Sequence, residues 1–555
     1  MKSLRALAAF LIAAASIPAL AQQQPSEPAS AFGEQIDVRV VNVEVVVTDK
    51  QGNRVTGLGP GDFRLRVDGK EAPIQYFTEV RGGQAIAPEE AGSGQSAAVS
   101  GLPALAPGSP VGTSYLVFID DYFSIAARRD EVLRSLMDSL GRLGPEDRMA
   151  VVAFDGRKID MLSNWSDSDR ALHRGFQEAL GRQAYGFQRL AELRAYESSR
   201  RIVAGTLGTT DSRAGFANRV DLEELSYMEL IADQVQRSVT AAVSTMRGFA
   251  APPGRKVMIL LSGGWPFSPA DYVVNNPNRP ILNREVPTGE KLLAPLVDTA
   301  NLLGYTLYPV DVPGVESTGP DASEGAPRDN LLNLREQEVH AALEYAAKET
   351  GGKALINGLR SEALSTAESD TRSYYWLGFS PDRQRNDKRH DIQVEVLREG
   401  LRVRSRDNFF DLARNTEVSM MVESALLFGN PPGAASMPIQ LGKPVAKGRR
   451  EIEVPLSLAI PLSSMTVVPL DGKHVAELEL RISVLDEKGN RSAVPVIPIR
   501  LTADKPPAES PGQYVRYDTT LKMRKIRQHL IAAIYDPLSG KITTAEADVV
   551  PDRVP

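Results

Sequence analysis

Apolar and polar residues alternate with period two along Ile36-Asp37-Val38-Arg39-Val40, slip phase at Val40-Val41, and resume through Val41-Asn42-Val43-Glu44-Val45 into Val46 and Val47. That pattern predicts a half-buried strand with a bulge at the slip. The same alternation returns in Phe63-Arg64-Leu65-Arg66-Val67, runs into the hairpin dipeptide Asp68-Gly69, and is followed by a further strand over Ile74 to Val80. Residues 36–82 therefore predict a small antiparallel sheet, too small to be stable alone. From 83 to 112 Gly, Ala, Ser and Pro take over, which predicts a linker.

Beyond it the pattern changes to apolar runs of strand length separated by segments of helical period. Strands are predicted at Tyr115 to Asp120, Met149 to Phe154, Val257 to Ser262, Tyr305 to Val310 and Ala354 to Ile356. Helices are predicted near 127–142, 168–181, 219–247, 289–303 and 334–349, the last stopped by Thr350-Gly351-Gly352. Such alternation predicts a doubly wound, mainly parallel sheet covered by helices, over 113–371. Two stretches, Gly181 to Arg219 and Pro313 to Arg328, read as insertions, the first helical and the second an exposed loop. Strand patterning returns over 372–410, in Tyr374 to Phe379, Asp391 to Val396 and Leu401 to Arg404. Because antiparallel strands precede and follow the α/β segment, 36–82 and 372–408 are expected to pair in one sandwich around it. A last region, 415–555, carries strands around 451–458, 475–484, 495–501, 514–521 and 528–535 and predicts an immunoglobulin-like β-sandwich. Its turns Asp486 to Arg491 and Asp536 to Lys541 echo Asp49 to Arg54, by repetition or by shared hairpin chemistry.

Composition narrows the function. A chain of 555 residues with 42% hydrophobic and 24% charged residues is globular and has room for roughly three or four domains. With 64 Lys+Arg against 70 Asp+Glu the net charge is −6, so no basic field exists to collect nucleic acid. No cysteine and five histidines exclude disulfides, thiolate zinc sites, iron–sulfur clusters and cysteine nucleophiles. Lys2 and Arg5, the apolar run Ala6 to Ala15 and the small-residue site Ala19-Leu20-Ala21 predict a signal peptide over 1–21, cut before Gln22, and hence export to the periplasm or beyond. Its loss leaves 62 cations against 70 acids. No later window is apolar for the ~20 residues a bilayer span needs.

No nucleophile elbow, zinc-protease pair, Walker loop or dinucleotide fingerprint is present. The informative place is the end of the first central strand, Phe118-Ile119-Asp120-Asp121-Tyr122-Phe123-Ser124. Ligands gather at the carboxyl ends of strands in such sheets, and oxygen side chains there can hold a hard cation. This stretch resembles the von Willebrand factor type A family, whose metal-ion-dependent adhesion site has an Asp-x-Ser-x-Ser loop after this strand, a Thr from a second loop and an Asp after the fourth strand. Asp120 and Ser124 match the first and last positions of that loop; Tyr122 stands at the middle Ser, and Ser262-Gly263-Gly264 puts Gly263 at the second acidic ligand. Val-Val-Thr-Asp-Lys-Gln-Gly-Asn-Arg after Val45, with Asp62-Phe63-Arg64, Trp376-Leu377-Gly378-Phe379-Ser380-Pro381, His390-Asp391-Ile392 and Val403-Arg404-Ser405-Arg406, resembles exported type-A-related proteins of Acidobacteria over about residues 36–410.

The resemblance implies a type A fold flanked by sandwich modules, with a degenerate metal site in which Asp120, Ser124 and the substitute ligand Asp121 would hold Mg2+ or another divalent cation. The competing reading makes Asp120 and Asp121 helix caps. No other cofactor is expected. The preferred expectation is a non-catalytic, metal-independent binding protein that recognises a protein or cell-surface polymer through Tyr122, Gly263, Gly264 and Trp265, the last as an exposed aromatic anchor. Alternatives are an envelope hydrolase using Asp120, Asp121, Asp155 or Asp160 as acid and base, and a structural subunit of an envelope assembly.

Overall fold

The computed structural model describes residues 41–86, 108–206, 213–249, 254–273, 286–312, 330–357, 362–381, 387–428 and 435–550, apart from 471, 487–491, 493 and 506–512. The leader 1–21, residues 36–40, most of the linker (87–107) and the loop at Pro313 to Arg328 lie outside these residues. The chain divides into two compact units, one spanning Ile36–Asn430 and one containing Pro431–Pro555.

The larger unit begins with β1 (Val41–Thr48), β2 (Phe63–Val67), β3 (Lys70–Glu71), β4 (Tyr76–Arg81) and β5 (Gln84–Ile86). It continues through β6 (Thr113–Asp120), α1 (Ala126–Asp138), β7 (Arg148–Phe154), β8 (Ile159–Ser166), α2 (Asp169–Leu180), α3 (Gly186–Thr206) and α4 (Arg213–Gly248). Next come β9 (Arg255–Ser262), α5 (Pro269–Val273), α6 (Gly289–Leu303), β10 (Tyr305–Asp311), α7 (Asn330–Glu349) and α8 (Ala363–Arg372). The unit closes with β11 (Ser373–Phe379), β12 (Arg389–Val396), β13 (Arg402–Arg404), β14 (Asn408–Phe410) and α9 (Arg414–Phe428).

Strands from the two ends of this unit are hydrogen-bonded neighbours. One sheet has the order β13-β1-β11-β4-β5 and the other β14-β12-β2-β3. β1 runs antiparallel to β11, with Val43 opposite Leu377 and Glu44 opposite Trp376. Period-two alternation sends Val43, Val45 and Val47 into a shared core with Leu65, Tyr375, Leu377, Phe379 and Ile392, and leaves Glu44 and Trp376 on the opposite face. The β2–β3 hairpin turns at Asp68 and Gly69, both with positive φ (49° and 76°), as a two-residue primed turn requires. The segment read as a linker from 83 onward departs from expectation at its start. Gly82 and Gly83, also at positive φ, fold Gln84–Ile86 back onto β4 as a strand, and three residues are too few to show a period.

The α/β layer has the order β10-β9-β6-β7-β8. β10, β9, β6 and β7 are mutually parallel, and every residue of β6 and β9 is buried, as continuous apolar runs between two helical layers must be. One face packs on helices that include α4, α6 and α7 through Met228, Val235, Leu292, Leu296 and Val339, and the other on α1, α2 and α8 through Val132, Leu136, Leu172, Phe176 and Leu364.

Three expectations change here, and that of a helical insertion at Gly181 to Arg219 is met. β8 is an additional antiparallel edge strand on β7, whose half-exposed residues gave no buried-strand signal. The expected strand at Ala354 to Ile356 is reduced to a single parallel bridge between Val310 and Leu355. The Gly181 to Arg219 insertion is α3 and the start of α4, joined by stacked Tyr196 and Tyr227 rings 4.4 Å apart. The boundary set at 415 moves past 430, because α9 packs on α4 and belongs to the larger unit.

In the smaller unit, Glu451–Pro461 pairs with Tyr514–Arg524, while Lys473–Asp486 pairs on one side with Val496–Ala503 and on the other with Gln528–Tyr535. Gln528–Tyr535 pairs in turn with Ile542–Val549, a strand beyond those expected. Leu458 and Ile460 from one sheet meet Leu480, Ile482 and Ile534 from the other in a common core. The fold of the chain is thus mixed α/β with several sheets, parallel and antiparallel. No helix among the described residues is long and apolar enough to cross a membrane.

Candidate functional site

Asp120 is the last residue of β6, and its chain enters a tight loop before α1. β6 lies centrally in its sheet, so the side chains that directly follow it at this end are covered from both sides, while Tyr122 stays half-buried. Asp120, Asp121 and Ser124 are all fully buried. The Asp120 carboxylate accepts the indole N–H of Trp265 at 2.7 Å on Oδ2 and the backbone N–H of Tyr122 at 3.2 Å on Oδ1. Burial pushes its carboxyl up to about 7, the Trp265 bond offsetting only part of that cost, with neighbouring Asp121 adding to the rise.

Ser124 turns its hydroxyl backwards and donates to the Asp120 carbonyl at 2.6 Å. Asp121 is held by two guanidiniums, Arg129 Nη1 at 2.6 Å on one oxygen and Arg182 Nε at 2.7 Å on the other. Burial pushes the Asp121 carboxyl up while both arginines pull it back. Arg182 also reaches Asp160 at 2.8 Å, and Lys158 lies 3.0 Å from the same carboxylate. Burial works against the Asp160 charge, but these two cations hold its carboxyl below its ordinary value.

The three residues expected to share a cation are therefore close in the fold but turned to different partners. Asp120 faces an indole, Ser124 a carbonyl and Asp121 two arginines. No group of three or more His, Asp or Glu side chains suited to a metal ion occurs among the described residues. This donor set does not fit a divalent cation, since Asp121 is neutralised by two guanidiniums and the side chains of Asp120 and Ser124 turn to separate partners.

The expected binding rim is corrected in one respect. Trp265 is 1% exposed and faces inward onto Asp120, so it is a structural plug and not an exposed anchor. Tyr122 is half-buried; its hydroxyl accepts from Arg189 Nη1 at 2.8 Å and the Arg189 guanidinium lies 4.5 Å over its ring. Gly263 packs so tightly on the loop that a Cβ would sit 2.6 Å from the Phe123 carbonyl oxygen. An acidic side chain at that position would need the loop to move. Gly264 is half-buried beside it. Trp376 is buried, and Trp165 packs edge-on against Phe249.

The carboxylates considered for acid–base work are each held by partners within the chain. Asp155 accepts the backbone N–H groups of Arg157 and Lys158 in its own turn, and Asp160 and Asp121 are bridged by Arg182. Arg129, Arg182 and Arg189 were missed in the sequence. Arg129 lies three, four and seven residues before the buried Val132, Leu133 and Leu136, so its place on the apolar face of α1 was the available signal. Arg189 carries the same signal in α3, four and seven residues before the buried Leu193 and Tyr196, whereas Arg182 follows α2 with no such pattern.

No protein-family model matches the chain, and no curated protein matches it. Among solved structures it is similar to a crystal structure of Bacteroides uniformis beta-glucuronidase, at 8% identity over 35% of this chain and 20% of that one, with a TM-score of 0.14. The chain thus spans about a fifth of that enzyme's length, and a likeness this slight carries no argument.

Proposed function

We propose that Ile36–Asn430 is a von Willebrand factor type A-like binding module carried on a β-sandwich, and that it recognises a protein or cell-surface polymer without a divalent cation. The observation that carries this reading is the Trp265 indole seated on Asp120, with Arg129 and Arg182 on Asp121, where the resemblance would put a metal. The strand order β10-β9-β6-β7-β8 and the Asp120 to Ser124 loop at its centre support the type A assignment. Loops on a rigid sheet edge are where recognition is usually built, and Tyr122, Gly263 and Gly264 lie on that edge. On this reading the chain is exported after cleavage near Ala21 and Pro431–Pro555 is an immunoglobulin-like sandwich.

The test is calorimetric titration of the mature protein with Mg2+, Mn2+ and Ca2+, alongside sedimentation with isolated envelope polymer in Mg2+ or in EDTA. Expected are no cation heat at millimolar concentration and equal polymer binding in both buffers. A saturable heat lost in Asp120→Ala, or polymer binding that requires Mg2+, would overturn it.

A further inference from the structure

The outer face of the first sandwich sheet rests on the N-terminal edge of the α/β sheet, and this junction is rich in cations. Glu44 of β1 lies 3.2 Å from Arg255 Nε at the start of β9. Lys256 follows on the same strand, and Arg406 reaches in from beyond β13, donating to the Asn301 carbonyl at 2.9 Å and to that of Asn42. Arg255 is 2% and Lys256 8% exposed. A second centre adjoins: Asp370, 1% exposed, is bridged by Arg54 and Arg404 and accepts the Tyr308 hydroxyl at 2.7 Å. Five cations thus stand by two carboxylates, Arg54 and Arg404 about a quarter exposed and Arg255 and Lys256 deeply buried, where unbalanced charge is expensive. The cost is visible in the groups themselves. Burial pushes Arg54 and Arg406 down to about 10 and Lys256 to about 8, whereas Arg255, against the cost of its burial, is held above its ordinary value by Glu44, Tyr374 and Tyr308.

Hydrogen-bond accounting gives an independent sign of the same deficit. Arg255 Nη1, Arg406 Nε and the Trp376 indole N–H are buried donors without a hydrogen-bond partner among the described residues. Trp376 stands opposite Glu44 in the β1–β11 register, which places its indole on the same face. Buried donors are satisfied in native proteins as a rule, so these three call for acceptors; one within the chain is the unpaired Tyr374 hydroxyl, whose ring lies 4.0 Å from the Arg255 guanidinium. Two unpaired acceptors, Asn42 Oδ1 and Asn301 Oδ1, also occur here, which a water would satisfy.

We propose that the junction is a binding site for one small inorganic anion, held by Arg255, Arg406 and the Trp376 indole N–H, with Lys256 supplying further positive charge. The shared chemistry is a compact monoanion-sized acceptor, either a halide or an oxyanion. Such a ligand would tie the sandwich to the α/β layer and make the stability of this unit depend on anion identity.

The test uses the full mature chain exchanged into gluconate at fixed ionic strength, titrated with chloride, bromide, nitrate or phosphate and followed by circular dichroism melting. The expected result is a melting temperature that rises and saturates with one anion class, and an anomalous bromide peak or an oxyanion density at Arg255 in crystals. Arg255→Gln removes the site but also strips Glu44 of its partner, so a failure of that variant to fold would not discriminate. Trp376→Phe keeps the ring and should fold in gluconate while binding about tenfold more weakly, the loss expected for one hydrogen bond to a charged ligand. Equal, non-saturating effects of all four anions, with water alone in the crystal, would overturn the proposal.

Discussion

Replacing Asp120 with asparagine isolates the unusual group at the centre of the site. In the unfolded chain this carboxyl loses its proton near 3.8, whereas burial keeps it protonated up to about 7 in the fold. Between those values the native state binds one more proton than the unfolded state, so this group's contribution to stability is complete below pH 3.8 and drains away as pH rises. At about 1.4 kcal/mol per pH unit the loss reaches about 4 kcal/mol by pH 8. The asparagine amide would keep an acceptor for Trp265 and lose the long bond from the Tyr122 N–H, at a cost of about 1 kcal/mol. Asp120→Asn should therefore be more stable than the wild type by about 3 kcal/mol at pH 8 and close to it near pH 4. All three tryptophans, Trp165, Trp265 and Trp376, belong to the larger unit, so urea unfolding followed by tryptophan fluorescence from pH 4 to 9 reports on that unit. Wild-type and variant curves of the same pH slope would refute the argument, for they would mean that Asp120 ionises in the fold as easily as in water.

Arg182→Met strips Asp121 and Asp160 of a shared partner and leaves a buried carboxylate short of charge; a loss of roughly 3 kcal/mol in the same unfolding assay is expected, largely recovered when Asp121→Asn is added. Trp265→Phe removes the indole bond to Asp120 and should cost about 2 kcal/mol at pH 8 and less at pH 4, where the carboxyl is neutral, again read by urea unfolding. Gly352→Ala would put a methyl 1.7 Å from the Leu307 carbonyl oxygen, a backbone contact that cannot give, so the variant should fail to appear in the folded, monodisperse fraction on size exclusion.

The alternation of Val43, Val45 and Val47 and the continuous apolar runs of β6 and β9 announce a half-buried and a fully buried strand, because burial on one face or two is a property of the residues themselves. β8 and β5 were illegible for the converse reason: both are edge strands whose pairing is decided by a neighbour, the one by β7 and the other by the Gly82-Gly83 turn. The site divided in the same way. Asp120 and Ser124 could be found from their place after an apolar strand, but the direction in which each turns depends on Trp265, 145 residues further on, and on two arginines outside the loop. An aromatic between Gly264 and Pro266 reads equally well as a surface anchor or a plug, and only the depth of β6 in its sheet decides for the plug.

That depth also bears on how the centre balances its charge. Arg129 and Arg182, with Lys158 at the margin, stand against Asp121, Asp130 and Asp160, three cations for three carboxylates. Asp120 completes the neutrality by keeping its proton below about pH 7. For a divalent ion to enter, Asp120 must ionise in a buried position, its bond to Trp265 must break, and Ser124 must release the Asp120 carbonyl. One net positive charge would then remain beside two guanidiniums, with Gly263 in place of an acidic ligand and no room for one without displacing the Phe123 carbonyl. Each of these steps opposes the next ligand as well as the ion, which is why restoring a single acidic residue at 263 should not by itself restore cation binding.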